Sequence, residues 1–176
     1  MTKIIYLTGK PGVGKYTIAQ ELAKNYGFII CDNQLINNPI FELLQYDGYA
    51  KIPEFAWDSI ARIREEVLNF LSKEHQHNYV LTNCLAENEE DRAIYNQVKQ
   101  MAESRGSEFY PVRLNITKEE HLKRITRPER LKRWKSIDPE DNGLQLVISH
   151  PNYLELEVSN LSAVESARKI IDCIVF

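Results

Sequence analysis

Near its start the chain runs Ile4-Ile5-Tyr6-Leu7, an apolar β-favouring stretch, into Gly9-Lys10-Pro11-Gly12-Val13-Gly14-Lys15 and then into a helical pattern. The glycine spacing is G-x-x-x-x-G-K. Its flanks restrict the fold, because a buried strand must hand over to a helix through a loop that has no Cβ at its tightest points. Downstream, Ile18, Leu22 and Tyr26, with Ala19 and Ala23, keep a helical period until Gly27 supplies a C-cap. In such a loop successive backbone N–H groups converge at a helix N-terminus and wrap an anion.

The anion that this P-loop pattern fits is a polyphosphate, as in ATP or GTP. Gly9, Pro11, Gly12, Val13, Gly14, Lys15, Tyr16 and Thr17 make up the nucleotide-binding set, with Lys15 as the point charge on the outer phosphates. One position departs from the pattern. After the lysine a small Ser or Thr hydroxyl is expected as a Mg²⁺ ligand, and this chain has Tyr16, whose long rigid arm cannot put its oxygen in the same place. Thr17 lies one helical step of about 100° further round and points elsewhere. Two readings stay open: Mg²⁺ held by phosphates, waters and a distant carboxylate, or a loop that binds nucleotide without catalysis.

With 176 residues the chain is expected to form one domain, residues 1–176, with a real core. Its net charge of −3 argues against a general nucleic-acid binder. No apolar run is long enough to span a membrane and none reads as a signal peptide, so a cytoplasmic protein is expected. Cys31, Cys84 and Cys173 are far apart and odd in number, which predicts buried reduced thiols rather than a disulfide framework or a zinc site. His75 and His77 lack a third ligand nearby and read as a solvated helix end.

Strand and helix signals alternate along most of the length, which predicts a parallel α/β sheet. Strands are expected at Phe28–Cys31, Tyr79–Leu81, Phe109–Leu114 and about Leu154–Val158, the last with a polar face suited to a sheet edge. Helices are expected at about 55–73 on Ile60, Ile63, Val67, Phe70 and Leu71, and at Asp91–Arg105 before Gly106. Asn37-Asn38-Pro39 is expected to break the chain ahead of a short helical stretch from Ile40 to Tyr46. Pro111 predicts a strand that pairs only after it, or that has its missing N–H where it does no harm. Thr117 and Glu120, then Ser162 and Glu165, have capping-box spacing.

Two further features carry chemistry. Asp32 follows the second predicted strand, and between Lys123 and Lys135 seven basic residues stand against one acid, Glu129, in a chain that is acidic overall. Together with Gly9–Thr17 and the strand-loop-helix near the C-terminus, these make the chain resemble the P-loop small-molecule kinases, the group that includes adenylate, shikimate and gluconate kinases. The resemblance implies a three-layer P-loop NTPase fold: a five-stranded parallel sheet flanked by helices, a nucleotide cleft at the strand C-terminal ends and a small basic lid at about 123–140. It implies that Asp32, beside the loop, binds the acceptor or a magnesium water and takes the hydroxyl proton. It implies a lid in which Arg127 and Arg130, flanking Pro128, close over the phosphates, with Arg124 and Arg133 as alternates. Guanidinium forks suit that task, and closure excludes water. Thr17 then reaches the inner phosphate, and Ser159-Asn160-Leu161 packs against the base.

Lys15, Asp32, Arg127 and Arg130 are thus the candidate catalytic set, with ATP and Mg²⁺ as cofactors and a small-molecule phosphate acceptor as partner. The third strand leads to Asn83 and Cys84 where an acid would balance the metal, so the metal ligands are left unassigned. The chain has no N-K-x-D motif for guanine, and its short length and Asn83-Cys84 disfavour an AAA+ motor. It also lacks the D-G-F-P-R segment of strict adenylate kinases and the Gly-Gly-Gly of shikimate kinases. The competing class is a nucleotide-binding regulator with slow hydrolysis. The acceptor pocket is expected between Asp32 and Trp57, where Phe41, Tyr46, Tyr49, Phe55 and Trp57 offer aromatic surface.

Overall fold

The computed structural model describes residues 1–47, 50–126 and 143–174. Five strands, β1 Lys3–Thr8, β2 Phe28–Asp32, β3 Asn78–Asn83, β4 Glu108–Asn115 and β5 Leu154–Glu157, form one sheet in the order β2-β3-β1-β4-β5. Every neighbouring pair is parallel. The helices among the described residues are α1 Lys15–Tyr26, α2 Asn33–Leu43, α3 Glu54–Lys73, α4 Glu89–Ser104, α5 Lys118–Ile125 and α6 Ala163–Cys173. This is the expected α/β layering with a five-stranded parallel sheet. The lid residues Arg127, Pro128, Arg130, Arg133 and Trp134, and Tyr49 of the aromatic segment, lie outside the described residues.

β1 sits at the centre and all six of its residues are buried. Its pleat divides the core. Ile4 and Tyr6 face one side with Leu68, Leu71, Val98 and Met101 of α3 and α4, whereas Ile5 and Leu7 face the other with Ile18, Leu22 and Ile170 of α1 and α6. Burying each of these large side chains contributes roughly 1.5–3 kcal/mol. β5 lies at the sheet edge, as its polar alternation predicts. Ser162 and Glu165 close a complete capping box at the start of α6. At α5 the Thr117 hydroxyl accepts the Glu120 N–H at 3.4 Å, while the Glu120 carboxylate takes an N–H of Arg124.

Three expectations are corrected, and the Pro111 expectation is met on one side of its strand. Asn37-Asn38-Pro39 does not break the chain: α2 starts at Asn33, capped by Asp32, and carries Pro39 inside it. Packing of Ile36 and Phe41 against Ile60 of α3 outweighs the lost helical hydrogen bond. On α3, Ile60 and Leu71 are buried and Ile63 and Val67 pack against the core as expected, but Phe70 is 62% exposed and the buried stripe also takes in Ala56, Arg64 and Leu68. Pro111 lies opposite Tyr6 within the β1–β4 ladder, and only on the β5 side does pairing begin just after it, at Val112. Of the cysteines only Cys31 is buried; Cys84 and Cys173 are exposed. An unexpected contact follows β3, where the N–H of Leu146 donates to Leu85 and that of Glu87 to Leu144, burying Leu146 and Ile148.

Candidate functional site

The Gly9–Gly14 loop leaves the C-terminal end of the central strand and enters α1 directly. Gly9, Gly12 and Gly14 all have positive φ, at 144°, 85° and 107°. Gly9 is also sterically required, because a Cβ there would stand 2.7 Å from the Leu114 carbonyl oxygen. Val13 buries its side chain completely between them and anchors the loop to the core.

Three side chains hold the loop by its carbonyls. Lys15 Nζ donates to the Gly9 and Lys10 carbonyls at 2.7 and 2.9 Å. His121 Nε2 is 2.7 Å from the Pro11 carbonyl, so this nitrogen carries the ring proton that is donated. Arg124 donates to the Val13 carbonyl at 3.1 Å and to the Val158 and Ser159 carbonyls at 3.0 and 3.3 Å, with Glu120 fixing its Nε at 2.8 Å. Arg124, an alternate for the lid, therefore ties the loop to the turn after β5 in this structure. The Glu120–Arg124 spacing of four was its visible signal; the lone His121 gave none.

Asp32 is one strand removed from β1, because β3 runs between β2 and β1. It ends β2, accepts the Thr82 hydroxyl at 2.5 Å and caps α2 through the Gln34 N–H at 3.4 Å. The intervening place belongs to Asn83 and Cys84. Asn83 Oδ1 turns back to accept the Cys84 N–H at 2.8 Å, and Cys84 Sγ lies 3.0 Å from Lys15 Nζ. Lys15 and Cys84 are thus in contact, while Asp32 reaches this group only through Thr82 and the β3 register.

Tyr16 is half-buried and Thr17 exposed on the first turn of α1. Among the described residues no group of three or more His, Cys, Asp or Glu side chains can hold a metal. Among the described residues, Tyr16 after Lys15 and Asn83 at the end of β3 do not supply the small hydroxyl and the carboxylate that would hold a Mg²⁺ directly. His75 and His77 are not a metal site either: His75 Nδ1 lies 3.0 Å from the Arg105 carbonyl and His77 pairs with Glu74. No described helix is long and apolar enough to cross a membrane.

Beyond Asp32, the segment expected to hold the acceptor is partly core. Phe41 is buried against Tyr46 and edge-on to Trp57, whereas Phe55 and Trp57 keep exposed surface. A small cavity opens beside it, lined by Tyr6, Cys31, Asn33, Arg64, Thr82 and Asn83 with apolar side chains of α2, α3 and α4. Arg64, which the sequence reading passed over, is the cation in this wall.

Comparison with known proteins agrees with this geometry. The family model described as "AAA domain" matches residues 5–143. No curated protein matches the chain in sequence. Among solved structures, a gluconokinase from Sinorhizobium meliloti 1021 superposes with a TM-score of 0.61 at 16% identity, over 98% of this chain and 91% of that one. The Mycobacterium tuberculosis APS kinase in complex with AMPPNP and APS gives 0.61 at 18% identity, over 98% and 97%. A shikimate kinase from Acinetobacter baumannii in complex with shikimate gives 0.58 at 20%, over 99% and 93%. At these identities the likeness is one of fold.

Proposed function

Since the chain belongs to the AAA domain family and has the fold of P-loop small-molecule kinases, we propose that it is an ATP-dependent kinase that transfers the γ-phosphoryl group to a small-molecule acceptor. Family membership concerns the domain; Asn83-Cys84, where an acidic pair would be expected, still argues against a motor. The observation that carries the proposal is the Gly9–Lys15 loop, with three glycines at positive φ and Lys15 held on the loop's own carbonyls. Phosphoryl transfer needs mainly positioning and charge stabilisation. Lys15 supplies charge at the outer phosphates once it exchanges these carbonyls for phosphate oxygens. Asp32 takes the acceptor's hydroxyl proton, the new P–O bond forms at that oxygen, and the bond from the γ-phosphorus to ADP breaks. Arg127 and Arg130 are proposed to close over the phosphates. Mg²⁺ is proposed to arrive with ATP, held by phosphate oxygens, water and a distant carboxylate, since Tyr16 offers no small hydroxyl after Lys15.

Calorimetric titration with ATP, with and without Mg²⁺, tests the loop. Binding that tightens with Mg²⁺ and fails in Lys15→Ala is expected, and no binding would overturn the proposal. A panel of acceptors scored for ADP release then tests the transfer. Tyr16 and Asn83 favour one second reading, a nucleotide-binding regulator with slow hydrolysis; ATP binding indifferent to Mg²⁺, with no acceptor stimulating ADP release, would select it.

A further inference from the structure

His121 sits on the buried face of α5 with Ile125 and is only 6% exposed. A leucine would fill that place without the cost of enclosing a polar ring. The ring's Nε2 instead meets the Pro11 carbonyl at 2.7 Å, a contact that spans 110 residues of sequence. Pro11 lies in a tight turn, in which the Val13 N–H donates to the Lys10 carbonyl at 3.3 Å and Gly12 has φ 85°. Proline at the second position and a positive-φ glycine at the third make this a type II turn. The type I form of the same four residues differs mainly by a half-rotation of the central peptide, and a glycine in the third position accepts either form. Local sequence therefore leaves the Pro11–Gly12 peptide two settings. This peptide is trans, so its carbonyl and the Gly12 N–H point opposite ways, and whatever fixes the one fixes the other. Among the described residues the Gly12 N–H donates to no backbone carbonyl.

We propose that His121 is a positioning residue of the phosphate loop: by holding the Pro11 carbonyl toward α5 it locks the turn in its type II form and keeps the Gly12 N–H aimed away from α5, as a donor to a bound phosphate. The proposal rests on the reading of Gly9–Thr17 as a nucleotide loop and names the side chain that sets one of its amides. In the flipped setting the Pro11 carbonyl oxygen would take the place of that N–H, exchanging an attraction to phosphate for a repulsion. About one turn further along α5, Arg124 holds the Val13 carbonyl at 3.1 Å, and the same opposition aims the Gly14 N–H. One short helix thus sets two alternate amides of the loop.

Calorimetric ATP affinity in wild type, His121→Leu and His121→Gln tests this, with amide NMR spectra following Gly12. Leucine keeps the apolar packing and loses the donor, whereas glutamine returns an N–H near the place of Nε2. His121→Leu should weaken ATP binding roughly tenfold, and His121→Gln should recover it to within about threefold of wild type. The Gly12 amide should be single and shift with ATP in wild type and His121→Gln, and be doubled or broadened in His121→Leu. ATP affinity in His121→Leu within about twofold of wild type, or no recovery in His121→Gln at an equal melting temperature, would overturn the proposal. If wild type binds no ATP, the nucleotide reading fails and the lock is read separately on the unliganded protein. A doubled or broadened Gly12 signal confined to His121→Leu then keeps the lock, and the same signal in all three proteins removes it. Should His121→Leu not fold, His121→Asn, whose arm is shorter, takes its place.

Discussion

Cys84 and Lys15 meet at 3.0 Å, and exposure separates this thiol from Cys31. Cys31 is buried, and burial, with the Asp32 carboxylate adding to it, pushes its thiol up to about 11, leaving almost no thiolate at neutral pH. Cys84 is exposed. A maleimide should therefore label Cys84 and spare Cys31 in the folded protein, as peptide mass mapping would show. The adduct is bulky beside Lys15 Nζ, so labelled protein should lose ATP binding and bound ATP should slow the labelling. Labelling of Cys84 without effect on ATP affinity would mean that Lys15 works elsewhere than in this contact. Nothing in the sequence announced the pair, since sixty-nine residues separate its members.

At the scale of elements, the last turn of α5 acts as a clasp between the loop and the turn after β5. Arg124→Met removes hydrogen bonds to three carbonyls and should cost about 2 kcal/mol of stability in urea unfolding, with a several-fold loss of ATP affinity. A residue that only contacted transferring phosphate would lower turnover and leave stability alone. The strand-loop-helix from Lys3 to Tyr26 was legible because its signals are local: an apolar run, glycines where φ is positive, and Gly27 at φ 71° as C-cap. α2 was not, because its Asn and Pro residues argue for a break and only the long-range contact with Ile60 overrides them. On α3 the period was right, and Ile60, Ile63, Val67 and Leu71 pack as expected. Phe70 and Arg64 are the exceptions, since hydrophobicity alone makes the first look like core and the second like surface. That β3 separates Asp32 from β1 was not legible, since strand order is not written in local pattern.

At the scale of the whole molecule, the sheet end opposite the loop carries a buried ionic lock. Arg105, its side chain fully enclosed, pairs with Glu74 at 2.8 Å and lies over the Tyr79 ring. Burial alone would raise the Glu74 carboxyl, but N–H groups of Gln76 and His77, the His77 ring and the Tyr79 hydroxyl outweigh it and bring it down to about 2. Its folded pKa is below the unfolded value of 4.5, so its contribution is whole above that pH and fades as pH falls towards 2. Thermal unfolding from pH 5 to pH 2.5 should show this decline, and Glu74→Gln should flatten it while lowering stability at pH 7, where Arg105 loses its partner. An unchanged acid slope in Glu74→Gln would place the titration elsewhere. The central position of β1 also sets a timetable for synthesis. The strand ends at Thr8, yet its neighbours begin at Asn78 and Glu108. At ribosomal speed roughly 5–20 s pass before β4 follows it out, during which six residues destined for burial keep at least one edge unpaired on the nascent chain.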